Sequence, residues 1–324
     1  MLKSLLLAAA VAATVAGGPR YAVVDQIPGP DGGYDYLSID TERQRLYLAR
    51  EYGVMTVDVT SGTVTKKLIA ANDVSAVLII PGTPLMLSTE YGSDNAVLFD
   101  RVTGEVKKRI KAGKKPDAAL YDSSSGLVFV MNAGSHDTTL IDVKAAKAVA
   151  TVALGDKPEA GVADGQGRVF INLEETAQIA VVDVASRKVA QRFKLPGCIE
   201  PTGIAYDATA STLISVCHNG VAKIIDARTG ADRGSVQTGK DADGAIFDSA
   251  RRLAFVPCKD GTLTVFRLDN SAAATVVDVV QTQRGARTAA LDPVSGRLYL
   301  AAATLGTDEE PQPGTFRILV VAPR

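Results

Sequence analysis

The sequence predicts an all-β fold, a seven-bladed β-propeller of four-stranded antiparallel blades whose ring is closed by the N-terminal strand. Three observations predict it: a fixed repeat, four short strands in every repeat, and chain ends that complement one another. A hydrophobic strand ends on Asp at Thr56-Val57-Asp58, Leu98-Phe99-Asp100, Leu140-Ile141-Asp142, Val181-Val182-Asp183 and Ile224-Ile225-Asp226, with successive spacings of 42, 42, 41 and 43 residues. A second marker recurs with the same period as Ile39-Asp40, Tyr121-Asp122, Ala163-Asp164, Tyr206-Asp207, Phe247-Asp248 and Leu291-Asp292. Repeats of this length and strand content are propeller blades, because neither face of a lone four-stranded sheet can be covered without neighbours.

Taken in order, the chain starts with Lys3 ahead of an apolar run over residues 5–13, followed by the small residues Ala13, Thr14, Ala16, Gly17 and Gly18. This is the layout of a cleavable export signal over residues 1–18, which leaves 19–324 as a single propeller domain. The apolar run falls short of the roughly 20 residues a membrane-spanning helix needs, and no later segment reaches that length. A soluble periplasmic or secreted monomer with no membrane span is expected. Residues 21–29 read as a strand similar to 148–155, the fourth strand of the third repeat. That repeat supplies strands at 118–121, 127–131, 138–143 and 148–154, separated by polar turns. The last repeat, from Arg284, supplies strands at 289–291, 298–302 and 316–321 and stops one strand short. Pairing the N-terminal strand there closes the ring and removes the edges that an open array or a two-sheet sandwich would expose.

The segment Val128-Phe129-Val130-Met131-Asn132, the strand end Ile141-Asp142-Val143, and the triplets Lys115-Pro116-Asp117 and Lys157-Pro158-Glu159 resemble the YVTN-repeat propellers, often called YncE-like. The resemblance covers essentially the whole mature chain. It implies an exported seven-bladed propeller and no single activity.

Composition excludes several functions. Lys plus Arg number 35 against 36 Asp plus Glu, so no global field attracts nucleic acid. Trp is absent and only two His are present, which leaves little material for aromatic sugar platforms or multi-histidine metal centres. Gly165-Gln166-Gly167 is a hairpin turn, not a dinucleotide fingerprint.

In such blades the turns between second and third strands share one surface with the blade-to-blade crossovers. That surface carries His136 and His218, all three cysteines, the Glu90-Tyr91 and Glu174-Glu175 loops and the longest insertion, residues 304–314. Local function belongs there. Aligning the starts of the innermost strands gives one polar residue per blade, namely Asp35, Ser75, Asp117, Glu159, Thr202, Asp243 and Arg287. Either these cap their strands through backbone hydrogen bonds, or they ring the channel mouth as a site for a cation or polar ligand. In the second case Arg287 and Arg284 neutralise part of the ring, and an oxygen-rich site for a divalent cation such as Ca²⁺, or for an amine, results. His136 and His218 complete the candidate ligand-binding set; no catalytic residue is assigned, because Cys217 and His218 are adjacent in a strand and point apart. In an oxidising compartment a Cys198–Cys217 disulfide is expected, with Cys217–Cys258 as its rival.

The function expected is a non-enzymatic binding or interaction propeller that engages a small molecule, cation or protein at the channel mouth. The alternative is a metal-assisted hydrolase of lactonase type, with the acidic ring as ligands and His136 or His218 as acid–base group.

Overall fold

Burial of both sheet faces dictates how each repeat is arranged. The second strand of the third blade, Leu127–Asn132, is buried at every position, whereas the outer strand of the second blade, Val106–Lys111, buries only Ile110. Continuous apolar runs therefore form the middle of a blade, and Lys-rich strands form its solvent edge. The computed structural model describes residues 19–324, and the expected export signal lies outside the described residues.

These residues form 28 strands, β1 to β28, in seven four-stranded antiparallel sheets. The innermost strands of blades one to seven are β2 (Tyr34–Asp40), β6 (Val74–Ile79), β10 (Pro116–Asp122), β14 (Pro158–Ala163), β18 (Pro201–Asp207), β22 (Ile246–Asp248) and β26 (Ala289–Asp292). Blades one to six are each continuous in sequence. The seventh is composite: β26, β27 (Arg297–Ala302) and β28 (Arg317–Pro323) are completed by β1 (Tyr21–Pro28), from the other end of the chain. The register runs from Tyr21↔Pro323 to Pro28↔Arg317 with one bulge at Val23/Asp25.

The core is a ring of seams. Seven hydrophobic clusters occur among the described residues, and each sits between two neighbouring blades. Tyr21 seals the seam between blades six and seven, where its ring meets Phe255 edge-on at 5.1 Å and its backbone N–H donates to Asp278 Oδ2 at 2.7 Å. The crossover from β1 into the first blade is fixed by Arg50, whose fully buried guanidinium donates to the carbonyls of Pro30, Gly32 and Gly33 and lies 3.9 Å from the Phe316 ring centre.

Both Asp markers are structural. Asp58 accepts from the N–H groups of Thr60 and Ser61, and Asp100 from those of Val102 and Thr103, so a short carboxylate closes each turn between third and fourth strands. Markers at the end of the first strand reach across seams: Asp40 pairs with Arg101 at 3.2 Å and Asp207 with Arg252 at 2.6 Å. On the opposite surface, Cys198 and Cys217 form the expected disulfide, with Cα atoms 5.5 Å apart. It ties the crossover that enters the fifth blade to the end of β19 (Thr212–Cys217). Cys258 is free and buried, and burial pushes its thiol up to about 12. No described helix is long and apolar enough to cross a membrane.

Removing Tyr21–Pro28 leaves one edge of β28 unpaired and uncovers two seams. The truncated chain is expected to lose several kcal/mol, on the order of 10 °C in Tm, or to aggregate. A thermal unfolding curve matching that of the intact 19–324 chain would refute closure by this strand.

Candidate functional site at the channel mouth

Five inner strands share one irregularity. The pairing slips between Tyr34/Leu37, Val74/Val77, Pro116/Ala119, Pro158/Gly161 and Pro201/Ile204, so two residues oppose one on the next strand. Such a bulge turns successive side chains toward the same side, and here that side is the channel. Asp117 and Glu159 accordingly line a polar cavity at the mouth, while the residues after them, Ala118 and Ala160, line the channel below.

The mouth cavity measures about 370 Å³. It brings together Asp35, Asp117, Glu159, Thr202, Asp243 and Arg287 from the strand-start column, and His218 from the second-strand ends. Ser75, from the same column, is buried and does not line it. Arg284 also stands outside, paired with Glu309 of the 304–314 insertion. His136 is elsewhere too. It closes the turn leading into the third strand of its blade with φ at 56°, and its carbonyl accepts the N–H groups of Leu154 and Gly155.

Five further residues line the cavity: Tyr36, Lys157, Glu174, Asp241 and Lys259. Two sequence signals mark most of them. Lys157 and Asp241 lie two residues before Glu159 and Asp243, in a second column that also contains Asp73, Lys115 and Glu200. Asp73, Lys115, Glu200 and Asp241 all have φ between 51° and 53°, a left-handed turn into the inner strand. Glu174, His218 and Lys259 each follow a second strand, and their N–H groups bond the carbonyls of Lys157, Glu200 and Asp241, respectively. The three columns are thus locked in step by one recurring backbone bond.

Charge at the mouth is uneven. Arg287 Nε lies 2.8 Å from Asp243 Oδ2, and Lys157 Nζ lies 3.0 Å from Glu159 Oε1 and also pairs with Glu174. Lys259 is drawn away to Glu309 at 3.1 Å. Among the described residues no cationic side chain pairs with Asp35, Asp117 or Asp241, and Asp35 Oδ1 is buried without a hydrogen-bond partner. Burial, reinforced by Asp243, pushes Asp117 up to about 6. Burial also raises Glu159, to about 9, with Asp117 and Asp243 adding to it; the neighbouring Lys157 opposes the rise but is shared with Glu174. Asp35 is raised well above the usual carboxylate range, chiefly by burial. The proximity of Asp243 holds Arg287 above its ordinary value. Tyr36 is kept protonated by burial and by the surrounding carboxylates, and its hydroxyl donates to the Asp243 carbonyl at 3.2 Å.

At the rim, His218 Nδ1 lies 2.8 Å from Glu200 Oε2, and the Cys198–Cys217 disulfide joins the two segments that carry them. Among the described residues no three His, Cys, Asp or Glu side chains are grouped so as to hold a metal ion. The carboxylates encircle the cavity instead of converging on one point.

No protein-family model matches the chain, and no curated protein matches it in sequence. Solved structures do share its fold. Kuenenia stuttgartiensis hydrazine synthase superposes with a TM-score of 0.74 at 16% identity, over 85% of this chain and 93% of that one. A chain of the mitotic checkpoint complex superposes with a TM-score of 0.75 at 14% identity, over 99% of this chain and 96% of that one. At such identities the likeness establishes the propeller fold alone.

The raised carboxylates make stability depend on pH. Between about 4.5 and about 9 the folded chain keeps a proton on Glu159 that the unfolded chain has lost, so stability falls as pH rises through this window. Glu159→Gln, which mimics the protonated acid, is expected to gain on the wild type from pH 5 to pH 9 by on the order of 5 kcal/mol. Urea unfolding at several pH values checks it, and a difference independent of pH would contradict the assignment.

Proposed function

We propose that the chain is an exported propeller of the YVTN-repeat kind that works in the periplasm or outside the cell as a binding scaffold. Its mouth cavity takes a small cationic ligand, an organic ammonium in preference to a divalent metal. One observation carries this reading: of six carboxylates around the cavity, Asp35, Asp117 and Asp241 have no cationic partner among the described residues. Carboxylates that share one partly buried cavity either keep protons or acquire a counter-charge, and a bound cation supplies the second solution. Export agrees with the leader-like residues 1–18 and with the disulfide, which suits an oxidising compartment.

Geometry favours ammonium over metal. Ca²⁺ takes six to eight oxygens at about 2.3–2.6 Å, whereas an ammonium needs only acceptors for its N–H groups. A spread ring of acceptors suits the second better. The metal-assisted hydrolase would need grouped protein ligands around an open coordination position, and the ring offers it less support for the same reason.

Calorimetric titration with ethylammonium and with Ca²⁺ tests the proposal. Ethylammonium is expected to bind the wild type with release of protons, because the cation draws down Asp117 and Glu159, and to bind more tightly as pH rises from 6 to 9. Combining Asp117→Asn with Glu159→Gln should weaken binding at least tenfold, about 1.4 kcal/mol. Tighter binding of Ca²⁺ through the same residues would move the reading to a metal. Failure of both ligands to bind would refute the cation site and leave recognition of a protein at this face.

A further inference from the structure

Below the mouth the channel changes character within one residue. At the level after the charged column the first blade contributes Tyr36, and the next five contribute Ala76, Ala118, Ala160, Gly203 and Gly244. This level and the residues just after it wall a second cavity of about 200 Å³, lined mainly by aliphatic side chains and glycines and sharing Tyr36 and Asp243 with the mouth. Its polar side chains are already engaged. Ser38 donates to the Val77 carbonyl, Tyr36 donates to the Asp243 carbonyl, and the Asp243 carboxylate is paired with Arg287. A ligand in this compartment finds aliphatic side chains and backbone, and no free hydrogen-bonding side chain.

The two cavities are stacked so that Ala118 and Ala160 stand directly after Asp117 and Glu159 on the same strands, across the throat from the single bulky side chain of that level. We propose that the lower cavity is the tail compartment of the cation site, and that the ligand is a linear primary alkylammonium. Its ammonium group rests among Asp117, Glu159 and the unpartnered Asp35, and its alkyl chain descends past Tyr36 along Ala118 and Ala160. This inference rests on the cation reading above. A bare metal ion would leave the apolar compartment unused, a carboxylate-bearing ligand would be repelled at the mouth, and a branched or aromatic tail would compete with Tyr36 for the throat.

The test is a calorimetric series of n-alkylammonium ions, methyl to hexyl, on the full 19–324 chain and on Ala160→Leu. In the wild type, affinity should rise about fourfold for each added methylene, the worth of one buried CH₂ at about 0.8 kcal/mol, until the compartment is full. In Ala160→Leu the series should flatten, since the isobutyl side chain of the variant occupies the same space. Ala76→Leu, on another wall of the cavity, serves the same purpose should thermal melting show Ala160→Leu to be unfolded. Equal wild-type affinity for methyl- and hexylammonium overturns the tail compartment and leaves the cation site standing. A rise that persists in the leucine variants overturns it as well, because the tails then bind elsewhere. Failure of every member to bind removes the cation reading itself.

Discussion

A four-stranded sheet with two apolar faces cannot be buried by anything smaller than two more sheets, and this constraint governs the molecule. Seven seams meet it only if the ring is continuous, so the apolar cluster between blades six and seven depends on Tyr21, which comes from outside both runs of sequence. Arg50 belongs to the same requirement. Its guanidinium is buried with carbonyls and aromatic rings as partners and, among the described residues, no carboxylate paired with it, an arrangement that burial disfavours and that fixes the crossover feeding the closing strand.

The site is a by-product of closure that has been given a charge. Around a ring, residues some forty positions apart in sequence become neighbours about one axis, so a single polar residue per repeat is enough to build a carboxylate ring. A ring of like charges in a partly buried mouth opposes folding unless protons or counter-ions accompany it. Arg287 and Lys157 supply part of that compensation, and the 304–314 insertion removes part of it by engaging Lys259. The bulges complete the design, because they let one residue carry charge at the mouth while its neighbour leaves room in the throat.

Periodicity made the architecture legible in the sequence, and each marker proved to have a local cause: Asp58 and Asp100 close turns, while Asp40 and Asp207 bridge blades. The composite blade was legible because 21–29 repeats the pattern of an outer strand. The pairing of Cys198 with Cys217 was legible because both lie in one blade on one surface. Other features depend on backbone geometry that spacing does not encode. Tyr36 escaped notice because the inner-strand bulge, not alternation, turns it inward. Lys157 and Asp241 belong to a column that precedes the strand, in which Asp73, Lys115, Glu200 and Asp241 turn left-handed. His136 and His218 share a surface, but His218 immediately follows a second strand, whereas His136 comes at the far end of its turn, one strand farther from the axis. Arg284 was drawn aside by Glu309, on an insertion with no counterpart in the other blades.

The pairing of β1 with β28 also sets an order of events in time. A strand made near the start of synthesis finds its partner only after nearly three hundred further residues have been added, and contacts of that separation form late. Until then the two seams that flank the closing blade remain wet, and the chain is an open arc of marginal sheets. An arc of this kind is easily unravelled. The element that locks the ring cannot engage before Arg317–Pro323 has been made, so the last strand added decides when the whole architecture becomes one cooperative body.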